Sequence, residues 1–198
     1  MTDVGMTLPN GTSITYEKSL WNRNNSEGLS VIFDSGTPVN LLPNDLILAI
    51  SGHYPEAQMY FDKDNKPAFK VPCEAPKGSF DYSFGNTTIH VSFRDAMFKD
   101  AEGICSFGFR IGPNNPKLVP YILGASFMRG AYMVFDRDND ELWLGESDDC
   151  GSNIVPIGKG NYAVPLIPGC GCEGKHDTRV VYAPPSGPKA LAEAGSVV

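Results

Sequence analysis

Glycine and proline are so frequent in this chain that they limit the folds it can adopt. Together they account for 37 of the 198 residues, with 21 Gly and 16 Pro. Both interrupt helices, glycine through its backbone entropy and proline through its missing backbone donor, and both are common in turns. This composition excludes a helical bundle. The patterns described next indicate short strands broken by turns and favour an all-β fold with short helices.

Alternating apolar and polar residues mark the strands of two hairpins. The segments 80–84 and 89–93 alternate on either side of a Gly-Asn turn at residues 85–86, which predicts an antiparallel pair. The segments 131–135 and 141–145 flank a turn rich in Asp and Asn and predict a second hairpin.

Two mainly apolar segments, 29–33 and 119–123, end at glycine-bearing turns and are predicted as buried strands. One short helix is predicted over residues 44–50, with Asn44 as its N-cap and Gly52 just past its end.

Beyond about residue 146 the periodicity fades. We therefore divide the chain into a folded domain, 1–146, and a Gly-, Pro- and Ala-rich C-terminal extension, 147–198, which we expect to be extended or mobile.

The charge balance excludes several classes of function. The chain has 16 Lys plus Arg against 23 Asp plus Glu, for a net charge of -7, which argues against binding to nucleic acid or to an anionic membrane. No apolar run is long enough to span a bilayer, so we expect no membrane span. The first residues contain no basic stretch followed by an apolar run, so we expect no signal peptide on this chain.

Three N-glycosylation sequons nevertheless favour a secreted protein, with acceptors at Asn10, Asn24 and Asn86. The five cysteines contain no C-x-x-C pair and no histidine at zinc-finger spacing, so a disulfide is favoured over a metal site. We expect neither a metal nor a cofactor.

One segment brings a carboxylate to the end of an apolar strand: residues 31–33 lead directly into Asp34, Ser35, Gly36 and Thr37. Gly36 permits a tight turn, and the two hydroxyl groups can donate hydrogen bonds that keep the carboxylate oriented and ionised. A strand-ending Asx or Ser/Thr turn would also account for the tripeptide. Taken alone, the motif leaves both interpretations open.

The order of the motifs resembles the C-terminal lobe of pepsin-like aspartic proteases, especially the fungal secreted and yapsin-like enzymes. In that family a second D-S/T-G-T loop is followed by an apolar-apolar-Gly strand, which passes beneath the loop and gives it a psi shape. Here Asp34 begins the loop, and Ile122, Leu123 and Gly124 follow 88 residues later, before the closing hairpin. The similarity covers residues 28–145.

The resemblance implies one lobe of the bilobal pepsin-like fold, a double-psi-type β-barrel, with Asp34 as a catalytic aspartate. It implies a supporting role for Ser35, Gly36, Thr37, Ile122, Leu123 and Gly124. Three apolar neighbours are candidates either for substrate pockets or for the core: Val39, Leu41 and Tyr121. The resemblance also implies a disulfide between Cys73 and Cys105 and leaves the pairing of Cys150, Cys170 and Cys172 open.

Two features depart from the family pattern. Ala125 stands where the family usually has an acidic residue, at a position that we interpret as structural. The N-terminal lobe, with its own D-T-G motif and flap hairpin, is not represented. Because the family's two carboxylates share one proton and hold a water between them, Asp34 supplies half of the catalytic pair, and we expect the isolated chain to be inactive.

The leading hypothesis is therefore an aspartic-type endopeptidase, secreted or located in the vacuole or cell wall. It would hydrolyse peptides at acidic pH once an N-terminal lobe, on the same or a separate chain, completes it. The alternative is a catalytically inactive, one-lobed module that binds a peptide or protein. A symmetric homodimer with two copies of Asp34 is disfavoured, because no short self-complementary terminal strand is evident.

Overall fold

The computed structural model describes residues 1–22, 28–54, 56–62, 65–113, 120–147, 156–160 and 180–182. Within these ranges most of the regular structure is β-strand. The helical segments there are α1 (Asn44–His53), the four-residue α2 (Ala125–Met128) and a single turn of 3-10 helix (Lys18–Leu20). The prediction of an all-β fold with short helices is confirmed.

The strands, in chain order, are β1 (Asp3–Thr7), β2 (Ser13–Thr15), β3 (Val31–Phe33), β4 (Asn40–Leu42), β5 (Gln58–Phe61), β6 (Pro67–Lys70), β7 (Ser79–Phe84), β8 (Thr87–Ser92), β9 (Met97–Lys99), β10 (Cys105–Phe107), β11 (Phe109–Ile111), β12 (Tyr121–Leu123), β13 (Ala131–Asp136), β14 (Glu141–Glu146) and β15 (Val180–Tyr182). All of these strands are three to six residues long, as expected from the frequency of Gly and Pro.

The described strands form four small sheets, with the orders β2-β1-β7-β8, β5-β6-β10-β9, β11-β4-β12-β3 and β13-β14-β15. In three of them all neighbouring strands are antiparallel. The sheet β11-β4-β12-β3 is mixed, because β12 runs parallel to β3 and antiparallel to β4. This mixed sheet carries the Asp34 segment.

Both predicted hairpins are confirmed. β7 pairs with β8 so that Tyr82 lies opposite Ile89, and β13 pairs with β14 so that Val134 lies opposite Trp143. The predicted helix is longer than expected, since α1 continues to His53 and includes Gly52. Its buried face of Leu, Ile and Ile side chains packs on the core, and this tertiary packing outweighs the low helix propensity of one glycine.

The N-cap of α1 also differs from the prediction. Pro43 occupies that position without a side-chain hydrogen bond, and Asn44 is the first helical residue.

The two apolar strands predicted to be buried, β3 at the edge of the mixed sheet and β12 beside it, are less buried than predicted. All three residues of β3 are half-buried, and in β12 only Leu123 is fully buried. Val31 and Phe33 pack against the core, whereas Ile32 faces away from it. The pleat turns Ile32 and its partner Ile122 to the other face of the sheet. Among the described strands β3 is also at the edge of its sheet, which leaves Val31 and Phe33 partly exposed.

The core is dominated by aromatic side chains. Five of them, here called the aromatic cluster, are Tyr54, Phe80, Phe93, Phe107 and Phe109. The rings of Tyr54 and Phe107 meet edge to face with centroids 4.6 Å apart, and those of Phe80 and Phe93 are 4.8 Å apart. Such contacts add to the large apolar area that each ring removes from water.

The C-terminal extension, 147–198, lies largely outside the described residues. Within it, Val180–Tyr182 form β15, which pairs with β14 at residues 142–144. The boundary near residue 146 therefore stays a prediction. In the described residues no helix has the length and apolarity needed to cross a membrane.

Candidate active site

The segment 34–39, here called the Asp34 loop, connects two strands that are not neighbours in their sheet. β3 ends at Phe33, the loop turns, and the chain re-enters the sheet at Asn40 as β4. β12 lies between them, with Ile122 opposite Ile32 on one side and Leu41 on the other. The backbone N–H of Asp34 donates to the carbonyl of Leu123 at 3.1 Å. Asp34 therefore lies at the end of β12, the strand between β3 and β4.

The Asp34 carboxylate accepts hydrogen bonds at both of its oxygens. The backbone N–H of Gly36 donates to Oδ1 at 2.8 Å, and the Thr37 hydroxyl donates to Oδ2 at 2.6 Å. The hydroxyl of Thr37, and then the amide of Gly36, hold the pKa of Asp34 below its ordinary value because these donors stabilise the ionised form. Ser35 is exposed at the loop tip, and no described hydrogen bond joins it to the carboxylate. Of the two hydroxyls expected to hold Asp34, only that of Thr37 does so here.

The residues after β12 hold the loop from below. A Cβ atom at Gly124 would lie 2.3 Å from the carbonyl oxygen of Thr37 and 2.4 Å from that of Val39, so only glycine fits without a shift. The backbone N–H of Ala125 donates to the Thr37 carbonyl at 2.8 Å, and the Ser126 hydroxyl donates to the Pro38 carbonyl at 2.7 Å. Because Ala125 contributes through its backbone, its methyl group takes no part in this contact.

Asn40 joins this network although the sequence analysis did not single it out. Its side chain is fully buried, accepts a hydrogen bond from Gly124 N–H at 2.8 Å and donates one to the Tyr82 hydroxyl at 3.2 Å. The one local signal is a polar side chain inside an apolar stretch, Val39 to Leu42.

The three predicted substrate-binding residues lie in the Asp34 loop or in the strands β4 and β12 of the mixed sheet, and all three are half-buried. Val39 belongs to the loop, Leu41 lies opposite Ile122, and the ring of Tyr121 packs on Gly112, where a Cβ would approach it to 2.8 Å. Partial burial raises the pKa of Tyr121. Tyr121 lies opposite Val31, at the end of β12 away from Asp34, and the role of the three residues in binding stays a prediction.

The remaining predicted sites are elsewhere. The disulfide between Cys73 and Cys105 is present, with Cα atoms 5.2 Å apart. Cys105 is the first residue of β10, which belongs to a different sheet from Asp34. Asn10 and Asn86 lie in exposed turns. Asn24, Cys150, Cys170 and Cys172 fall outside the described residues. Among the residues that the structure describes, no group of three His, Cys, Asp or Glu side chains is arranged to hold a metal ion.

Comparison with known proteins gives one family for most of the chain. The family model described as eukaryotic aspartyl protease matches residues 8–147. This range contains the Asp34 loop, the β12 strand beneath it and the closing hairpin.

Individual relatives carry the same description. A probable aspartic-type endopeptidase OPSB of Arthroderma benhamiae is 30% identical over 157 residues, which are 71% of this chain and 30% of that protein. The corresponding protein of Aspergillus oryzae is 28% identical over 78% of this chain and 33% of its own length. Aspartic proteinase yapsin-3 of Saccharomyces cerevisiae is 27% identical over 60% of this chain and 22% of its own length. The chain thus spans about a third or less of the curated relatives it matches.

Proposed function

This chain belongs to the eukaryotic aspartyl protease family, and on that premise we propose that it is the C-terminal lobe of an aspartic-type endopeptidase. The observation that carries the proposal is the Asp34 carboxylate, which is held at both oxygens above the end of β12 and has a lowered pKa. An oriented, ionised carboxylate at the surface suits a group that must take a proton from water.

In the proposed reaction Asp34 is one member of a pair of carboxylates. The second comes from an N-terminal lobe, and the two share a single proton because like charges at close range do not both ionise. The ionised member takes a proton from the attacking water, while the protonated member donates to the oxygen of the scissile carbonyl. Thr37 and Gly36 keep Asp34 facing the shared water. The substrate is a peptide or protein, and no cofactor takes part.

The surface around Asp34 supports a partner lobe. Ile32, Ile122 and Leu41 follow one another across the mixed sheet on the face that points away from the core. All three are half-buried, and none belongs to the buried cluster. An apolar row of this kind beside a polar loop is suited to be covered when a second lobe completes the cleft.

We further propose that the protein works outside the cell, in the cell wall or in the vacuole. The disulfide fits an oxidising compartment. Asn10 and Asn86 are accessible to a glycan because they occupy exposed turns, and Asn24 completes the set of sequons.

A second candidate function is a peptide-binding module that does not cut. It is favoured by the half-buried apolar row of Ile32, Ile122 and Leu41 beside the Asp34 loop, which would suit a bound peptide as well as a second lobe. This module would hold a peptide against the Asp34 loop without a second carboxylate to complete the reaction.

One experiment separates the two functions. The chain is assayed against unfolded protein substrates between pH 2 and pH 7, alone and after refolding with the N-terminal lobe of a matched relative. The protease proposal expects no hydrolysis by the chain alone and acid-dependent hydrolysis by the assembled pair. Stable assembly with bound but uncut peptide would favour the binding module instead.

A further inference from the structure

The side chain of Asn40 is an amide buried at the point where the Asp34 loop re-enters its sheet. It is 0% exposed, and it stands between half-buried Val39 and Leu41. Burying an amide without hydrogen bonds is unfavourable, because the group loses its hydrogen bonds to water. An apolar residue would avoid that cost, so the amide needs a reason beyond filling space.

The hydrogen bonds of Asn40 connect segments that are distant in sequence. Its Oδ1 accepts from the N–H of Gly124, 84 residues away, and its Nδ2 donates to the hydroxyl of Tyr82, 42 residues away. Its own backbone N–H donates to the carbonyl of Gly108 at 2.7 Å. One residue thereby ties the loop to the end of β12, to β7 and to the residue that precedes β11.

Gly124 is connected to Asp34 through Thr37. Gly124 lies against the Thr37 and Val39 carbonyls with no space for a side chain, and the next residue, Ala125, donates its N–H to the Thr37 carbonyl. Thr37 in turn donates its hydroxyl to Asp34 Oδ2 at 2.6 Å. The position of Gly124 relative to the loop therefore determines where the Thr37 hydroxyl lies relative to Asp34 Oδ2.

We propose that Asn40 is a positioning residue for Asp34, acting through Gly124 and Thr37. The inference deepens the proposed protease function and rests on it for its catalytic meaning. Replacing the amide with an apolar side chain leaves the Gly124 N–H without its acceptor, and a buried unsatisfied donor is driven to find another partner. The loop then shifts, the bond from Thr37 weakens, and the pKa of Asp34 rises.

The test measures the pKa of Asp34 in the full chain by NMR titration of its side-chain carboxyl carbon. Asn40→Leu is expected to raise that pKa by about half a unit or more. Tyr82→Phe is the matched control, because it removes the other partner of the Asn40 amide and leaves the Gly124 bond in place. It is expected to lower stability while leaving the pKa of Asp34 within error of the wild type.

Two results would overturn the inference. One is a folded Asn40→Leu chain in which the pKa of Asp34 is unchanged, and the other is an equal rise in Tyr82→Phe. If Asn40→Leu does not fold, the wild-type chain still gives an answer. The Asn40 side-chain NH₂ resonances should then shift with the same midpoint as the Asp34 carboxyl, and their lack of any inflection there would contradict the coupling.

Activity of the assembled two-lobed protein gives an independent readout. Asn40→Leu is expected to lower kcat with little change in KM and to move the acidic limb of the pH profile upward, because a shifted carboxylate affects the reaction more than peptide binding. If Asp34→Asn retained activity, the protease proposal would fail, while the coupling of Asn40 to Asp34 would still be decided by the titration.

Discussion

Two regions of this fold, the aromatic cluster and the Asp34 loop, are built from different interactions. In the aromatic cluster the ring of Phe80 contacts three others, with centroid distances of 4.8 Å to Phe93, 5.4 Å to Phe107 and 5.0 Å to Phe109. The Asp34 loop has no such packing. It is held by hydrogen bonds to its carbonyls from residues 125 and 126 and to its carboxylate from residues 36 and 37.

Because of this difference, the aromatic cluster mainly determines stability and the Asp34 loop mainly determines function. Dispersion and apolar burial in the aromatic cluster are non-directional and come from many partners, so they stabilise the fold without fixing any one group. The hydrogen bonds of the loop are directional and few, so each one fixes the orientation of a specific group. Mutations in the cluster should therefore change the free energy of unfolding, whereas mutations in the loop should change the pKa and reactivity of Asp34.

The largest expected effect on stability is in the aromatic cluster. Phe80→Ala should lower the free energy of unfolding by about 3 to 5 kcal/mol, because the fully buried ring leaves a cavity among three other rings. Urea denaturation followed by fluorescence measures this loss. Leu48→Ala, at a side chain that is 46% exposed, is the control and should cost far less. Equal losses in the two variants would show that the cluster does not dominate stability.

The next largest effect should come from the disulfide. Replacing both Cys73 and Cys105 with Ser should cost about 3 to 4 kcal/mol on the chain-entropy model for a closed loop of this length. The pKa of Asp34 should stay unchanged, since the bond lies in another sheet. Denaturation and NMR titration of the same variant test both halves of this prediction. A change in the pKa of Asp34 would mean that the disulfide and the Asp34 loop are coupled more tightly than we describe.

Gly124→Ala should change both the free energy of unfolding and the pKa of Asp34, because Gly124 connects the loop to the sheet. The added methyl would approach the Thr37 carbonyl to 2.3 Å, and forcing the backbone apart should cost about 1 to 3 kcal/mol. The shift should also raise the pKa of Asp34. Gly52→Ala, at a helical site where a Cβ meets nothing within 4 Å, is the control and should leave Asp34 unaffected.

The smallest effect on stability is expected for Thr37→Val, which removes the main donor to the carboxylate at nearly constant volume. The pKa of Asp34 should rise towards its ordinary range, since the hydroxyl of Thr37 is the leading cause of its lowered value. A depressed carboxyl pKa contributes stability above the unfolded-state pKa and loses it as the pH falls through the folded-state value. The stability difference between wild type and variant should therefore shrink on acidification, and a difference that grows would contradict this assignment.

Local sequence patterns are sufficient to predict part of the regular structure, including two hairpins. The β7–β8 and β13–β14 hairpins follow from period-two alternation around turns that favour Gly, Asn and Asp. The Asp34 turn follows from a strand that ends in Asp-Ser-Gly-Thr. The placement of β12 beneath it was implied by family resemblance, because no local rule pairs segments 88 residues apart.

Features that depend on distant partners could not be predicted in this way. Asn40 is a polar residue in an apolar stretch, and its partners at Tyr82 and Gly124 become evident only when three strands are brought together. The extension of α1 through Gly52 likewise depends on packing of its buried face. The choice of Thr37 rather than Ser35 as the donor to Asp34 depends on the turn geometry, which the residue types alone do not specify.

The measurement that most directly tests the central claim is the acid peptidase activity of the assembled two-lobed protein with Asp34→Asn in this chain. The account predicts that hydrolysis is abolished while assembly and the unfolding midpoint stay close to the wild type. Asp138→Asn, at an exposed turn of the β13–β14 hairpin, is the matched control and should keep full activity. Undiminished hydrolysis by the Asp34→Asn protein would contradict the assignment of Asp34 as a catalytic aspartate.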